Sequence, residues 1–208
     1  MDDVVLNYHD SLLRNSDVKL LEEGNWLNDN IIGFMFEYFR QELFSRDDIL
    51  FLDPDFAQLI KLSQNDEALS LLSTVGLNGK CLIFISVNNN RSTTVAGGTH
   101  WSLLVYDAAL KCFEHYDSCA QTNEDEAKYL AKLLSQALSV TPKLEDKSFA
   151  EQKNSSDCGV YVIKTASVLC SSKIRQEPCD FSAITPTAVA SERQRIKQLI
   201  MEKSSAGR

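Results

Sequence analysis

One cysteine in the sequence, Cys158, lies between the polar segment Asn-Ser-Ser-Asp and an apolar run of helical length. Ser155, Ser156 and Asp157 are residue types that cap helices, so we predict that Cys158 lies in the first turn of a buried helix. The positive end of the helix dipole favours a thiolate, but only by about 0.3 to 1 kcal/mol, or up to about 2 when partly buried. A reactive Cys158 therefore needs a neighbouring imidazolium. These residue types alone leave two interpretations open, a nucleophile and a buried structural cysteine.

Three histidines could supply that imidazolium. His9 lies in a polar N-terminal segment and is expected at the surface. His115 lies inside a predicted strand, where a hydrogen-bonded structural role is expected. His100 stands where the long polar loop 88–99 meets a strand, and loop ends commonly carry catalytic groups. His100 is therefore the candidate base.

Strand pairing indicates an orienting group for His100. If residues 101–106 and 111–116 form a hairpin across the four-residue loop 107–110, Tyr106 lies opposite Lys111. The same register puts His100 opposite Asp117 on one face, with Cβ atoms about 4.5 to 5.5 Å apart. A slip of one residue would place the two side chains on opposite faces. Asp117 is thus predicted to hold the imidazole.

Acyl chemistry also needs hydrogen-bond donors for the oxyanion that develops on the carbonyl. The backbone N–H of Cys158 is one candidate, because the first N–H groups of a helix have no partner within it. The side-chain amide of Gln152, six residues upstream, is the other.

The remaining patterns indicate an α+β fold in one domain spanning 1–208. Helices are expected from Asn28 or Asp29, from Asp53-Pro54 through Leu62, from a capping box of Thr122 and Asp125, and from Thr185-Pro186. Strands are expected at 81–87, 101–106, 111–116 and 147–150. The tail 204–208 is expected to fray.

Composition narrows the possible partners. The chain has 208 residues, 44% of them hydrophobic, and a net charge of −8. This acidity argues against nucleic acid, and no apolar run has the roughly 20 residues of a membrane span. Cys112, His115 and Cys119 are a poor metal site, since Cys112 and His115 would point to opposite faces of a strand. We expect a monomer in the cytosol or nucleus, with no cofactor and no metal.

Three segments resemble the His, Asp and Gln-Cys boxes of the sentrin/SUMO-specific cysteine protease family. They are Gly98-Thr-His-Trp-Ser-Leu-Leu-Val-Tyr106, His115-Tyr-Asp-Ser118 and Gln152-Lys-Asn-Ser-Ser-Asp-Cys-Gly159. The likeness covers nearly the whole chain. Within the family it is greatest to the deneddylase branch, which cleaves the Nedd modifier, through Trp26-Leu-Asn-Asp-Asn-Ile-Ile-Gly-Phe34 and Ala96-Gly-Gly-Thr-His-Trp101.

The resemblance implies a papain-like fold, with a central mixed sheet flanked by helices. It also implies cleavage after the C-terminal Gly-Gly of a ubiquitin-like modifier, both in its precursor and on conjugated proteins such as cullins. Nedd is the expected modifier. The alternatives are a SUMO-specific or ubiquitin-specific protease and a catalytically silent module that binds such modifiers.

The resemblance assigns substrate contacts as well. Trp26 and Trp101 would clamp the modifier tail, while Asp29 and the loop 88–98, with Gly97 and Gly98, would contact the modifier body. Without the resemblance, Trp26 would be interpreted as packing at the start of a helix. Where the family usually has Gln-Gln, this chain has Glu151 before Gln152, so the oxyanion role passes to Gln152 alone.

Overall fold

A five-stranded mixed sheet forms the centre of the molecule. The computed structural model describes residues 2–95, 97–147 and 149–206. The strands are β1 (Val4–Tyr8), β2 (Ser11–Arg14), β3 (Ile49–Leu52), β4 (Leu82–Asn88), β5 (Trp101–Asp107), β6 (Cys112–Tyr116) and β7 (Leu144–Lys147). The sheet order is β3-β4-β5-β6-β7, with β4, β5 and β6 antiparallel and each edge strand parallel to its neighbour. The hairpin β1–β2 forms a separate small sheet.

Helices cover both faces of this sheet. They are α1 (Asn15–Lys19), α2 (Asp29–Tyr38), α3 (Pro54–Leu62), α4 (Asn65–Leu72), α5 (Glu124–Leu138), α6 (Cys158–Arg175) and α7 (Pro186–Ala206). One apolar core joins a sheet face to α2, α6, α7 and the β1–β2 hairpin, and a second joins the other face to α3, α4 and α5. All seven residues of β4 are buried as a result, as expected for a strand covered on both sides.

Several predicted boundaries and the α+β class are confirmed. The side chain of Asn28 accepts a hydrogen bond from the backbone N–H of Ile31 at the start of α2. Asp53 caps α3 in the same way, and Pro54 occupies the first turn, where its missing N–H costs nothing. A helix also begins at Pro186.

Other boundaries differ from the prediction. The strand expected at 147–150 is β7, which ends at Lys147, and Ser148 lies outside the described residues. No capping box forms at Thr122, because α5 begins at Glu124 with Asn123 at its N-cap. The expected frayed tail is wrong for 204–206, since α7 continues to Ala206 and the Ser204 hydroxyl donates to the carbonyl of Val5. Residues 207–208 are outside the described part.

The described residues contain neither a helix suited to cross a bilayer nor a cluster of metal ligands. None of their helices combines the length and apolar character needed to cross a bilayer. In the same ranges no group of three or more His, Cys, Asp or Glu side chains is arranged to hold a metal ion.

Candidate active site

His100 and Asp117 form a buried pair at one end of the sheet. The His100 ring Nε2 lies 2.5 Å from Asp117 Oδ1, and the two side chains are only 5% and 6% exposed. His100 immediately precedes β5, where its backbone N–H and that of Thr99 both donate to the Asn89 side chain, at 3.2 and 2.8 Å. Asp117 immediately follows β6. The ends of two neighbouring strands therefore set this contact.

The strand register that predicted this pair is wrong by two residues. Asp107 lies opposite Cys112, and Leu104 lies opposite His115, so His100 and Asp117 are not directly opposed. The turn is one residue further along than predicted, because Lys111 has a left-handed φ of 48° and belongs to the turn. The loop keeps its length, so both strands shift together and the two side chains remain on the same face. Their contact follows from that shared face and the ends of the strands.

Cys158 is the first residue of α6, as predicted, and it is only 1% exposed. Cys158 is among the groups that raise the pKa of His100, so its sulfur lies near the imidazole. The preceding turn is held by Asn154, whose side-chain oxygen accepts from the backbone N–H groups of Ser156 and Asp157 at 3.1 Å. Asp157 occupies the N-cap position but does not cap with its side chain. That carboxylate binds Arg193 instead.

The electrostatics of the pair favour a charged imidazole. Burial disfavours the protonated ring, but the hydrogen bonds to Asp117 and Cys158 outweigh it and raise the pKa of His100 to about 9. Burial alone would raise the pKa of Asp117. The His100 ring and the backbone N–H groups of Cys119 and Asn123 instead hold that pKa below its ordinary value. The site thus favours an imidazolium at neutral pH.

Gln152 is held by Ser118, the residue after Asp117. Its backbone N–H donates to the Ser118 carbonyl at 2.9 Å, and its side-chain oxygen accepts from the Ser118 hydroxyl at 2.8 Å. The side-chain nitrogen donates to the carbonyl of Asn154 at 2.7 Å. An amide nitrogen carries two N–H bonds, and this contact uses one of them. Glu151 points its carboxylate to solvent, 69% exposed.

The predicted substrate contacts fall in two places. Asp29, Gly97 and Trp101 line one groove of about 350 Å³, together with α3 and the loop that follows β4. Trp26 is 45% exposed and lies outside the set that lines this groove. The indole N–H of Trp101 donates to the Leu27 carbonyl at 3.0 Å, which ties the start of β5 to the residue after Trp26.

A steric constraint requires glycine at position 98. Its φ is +140°, and a Cβ there would overlap the side chain of Asn88. Gly98 therefore fixes the loop beside His100, whatever it contributes to substrate contact.

Known protein families and relatives resemble this chain in sequence. A sequence model described as "Ulp1 protease family, C-terminal catalytic domain" matches residues 78–206. The chain belongs to the Ulp1 protease family. The chain is therefore a cysteine protease of this family.

Relatives of this Ulp1-family protease extend the match over the whole chain. Sentrin-specific protease 8 of Rattus norvegicus is 43% identical over 216 residues, covering 100% of this chain and 99% of its own. NEDD8-specific protease 1 of Arabidopsis thaliana is 37% identical over 177 residues, covering 81% and 76%.

Solved structures support the fold of this Ulp1-family protease. The C-terminal Ulp1 protease domain in complex with Smt3, the yeast ortholog of SUMO, has a TM-score of 0.76 and 19% identity, over 98% of this chain and 89% of that one. The papain-like fold predicted from the sequence is confirmed.

Sequence reasoning missed several residues that position the site. Asn89 holds the backbone of His100, and Asn123 donates its backbone N–H to Asp117. Ser118 holds Gln152, and Arg193 binds the turn before Cys158. Asn154 had a visible signal, since asparagine often accepts from the backbone two residues on. Arg193 had none, because most of its partners are distant backbone carbonyls.

Proposed function

We propose that this protease cleaves the bond after the C-terminal Gly-Gly of a NEDD8-type modifier. Cys158 is the nucleophile, His100 the general acid and base, and Asp117 the group that orients the ring. Gln152 and the Cys158 backbone N–H are the oxyanion donors. The observation that carries the proposal is the buried contact between His100 and Asp117, with Cys158 close enough to raise the pKa of His100.

The first half of the reaction forms a thioester. With Asp117 on Nε2 of His100, Nδ1 is the nitrogen that faces Cys158. Thiolate Cys158 attacks the terminal glycine carbonyl, and the oxyanion accepts from the Cys158 N–H and the Gln152 amide. The carbon–nitrogen bond then breaks, and the leaving amine takes the proton of the His100 imidazolium.

The second half hydrolyses that thioester. The now neutral His100 accepts a proton from water, whose oxygen attacks the carbonyl carbon. The carbon–sulfur bond breaks, the thiolate–imidazolium pair is restored, and the modifier leaves as a carboxylic acid that loses its proton to solvent. Asp117 stays ionised throughout and keeps the ring in position.

The tail specificity has a steric explanation. We propose that Trp26 and Trp101 close on the extended tail of the modifier from two sides. Such a passage leaves room for glycine, which lacks a Cβ, and excludes larger residues. The hydrogen bond from Trp101 to the Leu27 carbonyl supports this placement.

The choice of modifier rests on the relatives and on charge. Curated relatives carry the name NEDD8-specific protease, whereas the SUMO alternative rests on structures at about 20% identity. Asp29 and Asp55 both line the groove of about 350 Å³ described above. Burial together with the charge of Asp29 raises the pKa of Asp55 to about 6. An acidic groove on an acidic chain suits a modifier surface with basic side chains.

The cellular setting is also part of the proposal. The six cysteines are all unpaired thiols, which suits a reducing compartment, and we propose the cytosol and nucleus. There the enzyme, as a monomer, would process the modifier precursor and release the modifier from conjugates such as cullins.

Competing C-terminal electrophiles test this function. The purified enzyme is treated with NEDD8, SUMO and ubiquitin probes ending in Gly-Gly vinyl sulfone, and with a NEDD8 probe ending in Ala-Ala. We expect fastest labelling by the NEDD8 Gly-Gly probe, at Cys158, and little by the Ala-Ala probe. Faster labelling by SUMO or ubiquitin would reassign the modifier, and equal labelling by Ala-Ala would remove the clamp.

A further inference from the structure

A buried arginine in α7 binds two segments of the chain, one before Cys158 and one before Trp26. Arg193 lies in α7, and its side chain is 4% exposed. Its Nε and Nη2 donate to the Asp157 carboxylate at 2.9 and 2.7 Å, and Nη2 also donates to the Ser156 carbonyl at 3.0 Å. These two residues immediately precede Cys158.

The other contacts of Arg193 reach the N-terminal part of the chain. Its Nη1 donates to the Leu20 carbonyl at 2.9 Å, and Nη2 donates to the Asn25 carbonyl at 2.8 Å. A weaker contact reaches the Glu22 carbonyl at 3.4 Å. Segment 20–25 leads directly into Trp26. One guanidinium therefore binds both the segment before Trp26 and the segment before Cys158.

The guanidinium is suited to fix a distance. It is planar, always charged and presents its donors in a rigid fork, whereas a lysine ammonium is a single point on a flexible stem. A buried charge is tolerated only when its hydrogen bonds are satisfied, and here both segments supply acceptors. Neither segment can shift without leaving part of that charge unpaired.

Close packing between the same two segments supports this connection. Gly159 follows Cys158, and a Cβ built at this glycine would lie 2.9 Å from the Cβ of Leu27. The Leu27 carbonyl in turn accepts from Trp101. The start of α6 and the residue after Trp26 therefore pack in direct contact.

We propose that Arg193 is a positioning residue that sets the separation between the Trp26 segment and Cys158. It touches neither the reacting atoms nor His100. The proposal rests on the proposed function, because the tail that bridges the two segments is that of the modifier. Misplacement of a substrate by about 1 Å can cost on the order of 100-fold in rate.

The matched pair Arg193→Lys and Arg195→Lys tests this role. Arg195 lies on the same helix but is 45% exposed and pairs with Glu192, so the same substitution there leaves activity unchanged. Two rates are measured at a temperature where circular dichroism shows each variant folded. One is turnover of NEDD8 bearing a C-terminal aminocoumarin, and the other is alkylation of Cys158 by iodoacetamide.

We expect Arg193→Lys to lower kcat/KM by about 10- to 100-fold, mainly through kcat, with alkylation within about twofold of wild type. Alkylation needs only Cys158 and His100, which α6 and β5 hold against each other. Turnover within twofold of wild type would overturn the proposal. A parallel fall in alkylation would do so too, because the loss would then lie in the triad.

Asp157→Asn is the second variant that tests the role of Arg193 if Arg193→Lys does not fold. It keeps an acceptor oxygen and removes the charge, so a loss of about 3- to 10-fold in kcat/KM is expected, again with normal alkylation. Unchanged kcat/KM would contradict the role of the ion pair. A wild-type enzyme that left the NEDD8 substrate intact would overturn the proposed function as well, whereas an active wild type with an equally active Arg193→Lys would overturn this inference alone.

Discussion

The molecule contains two histidine–aspartate pairs on the same region of the sheet, and they differ in their third partner. In the first, His100 and Asp117 are both buried. In the second, His115 Nδ1 lies 2.9 Å from Asp146 Oδ1, with the histidine buried and the carboxylate 54% exposed. The second pair confirms the structural role that the sequence indicated for His115.

The remaining ring nitrogen decides what each pair can do. His100 faces the Cys158 thiol at a helix start, whereas His115 Nε2 lies 2.9 Å from the hydroxyl of Ser102, inside β5. That hydroxyl also accepts from the Asn123 side chain at 3.1 Å, and it is sealed within the sheet. A histidine–aspartate pair becomes a catalytic unit where the next atom is a nucleophile such as the Cys158 thiol, rather than a hydroxyl already engaged in a hydrogen-bond network.

Loss of the base should have the largest effect. His100→Ala removes both the imidazolium that stabilises the thiolate and the proton donor to the leaving amine. General acid–base catalysis contributes about 10²- to 10⁴-fold, so we expect kcat/KM to fall by about 1000-fold or more in a fluorogenic assay. Activity within tenfold of wild type in a folded variant would show that another group acts as the base.

Loss of the orienting carboxylate should shift the pH dependence as well as the rate. The active imidazolium loses its proton as pH rises through the pKa of His100, about 9, so kcat/KM should decline above that pH. Asp117→Asn removes the negative charge that favours the imidazolium. We expect the alkaline limb of the pH profile to move to lower pH, with a loss of about 100-fold. An unmoved limb would contradict the pairing.

The contact of the first pair could be predicted from the sequence, because residue order and strand pairing bring His100 and Asp117 together. No tertiary information was needed to place Cys158 after a capping segment. The same is true of the strand alternation that puts His100 and Asp117 on one face. The register was wrong because the side chain of Asp107 accepts from the backbone of Ala109 and Leu110. That local turn starts one residue later than apolar patterning indicates.

Loss of the second histidine should affect stability more than catalysis. His115→Ala removes hydrogen bonds from a buried site, which costs about 2 kcal/mol. For a chain of this size that lowers Tm by about 4 to 8 °C. Below the transition, kcat/KM should stay within about threefold of wild type. A hundredfold loss in the folded variant would make the second pair part of the catalytic machinery.

The same substitution at the second aspartate should have the smallest effect. Asp146→Asn is the match to Asp117→Asn, but its carboxylate is half exposed, and such pairs contribute about 0 to 1 kcal/mol. We expect kcat/KM within twofold and an alkaline limb still near pH 9. A shifted limb in this variant would mean that the two pairs titrate together through Asn123.

Positions that are fixed by long-range contacts could not be predicted from the sequence. Arg193 has acceptors in segment 20–25, far away in the chain, and no local pattern specifies them. The end of α7 was misjudged because Ser204 bonds to the carbonyl of Val5, at the opposite end of the sequence. Polar residues there read locally as a frayed tail, but the tertiary contact prevails over local propensity.

The relative reactivity of two thiols in the same chain tests whether His100 activates Cys158. Cys119 is exposed, whereas Cys158 is 1% exposed and near the His100 ring, whose pKa it helps to raise. The folded enzyme is treated with less than one equivalent of iodoacetamide at pH 7, and the labelled peptides are identified by mass. We expect Cys158 to be alkylated first and this preference to be lost in His100→Ala. Labelling of Cys119 first, with Cys158 modified only after unfolding, would contradict it.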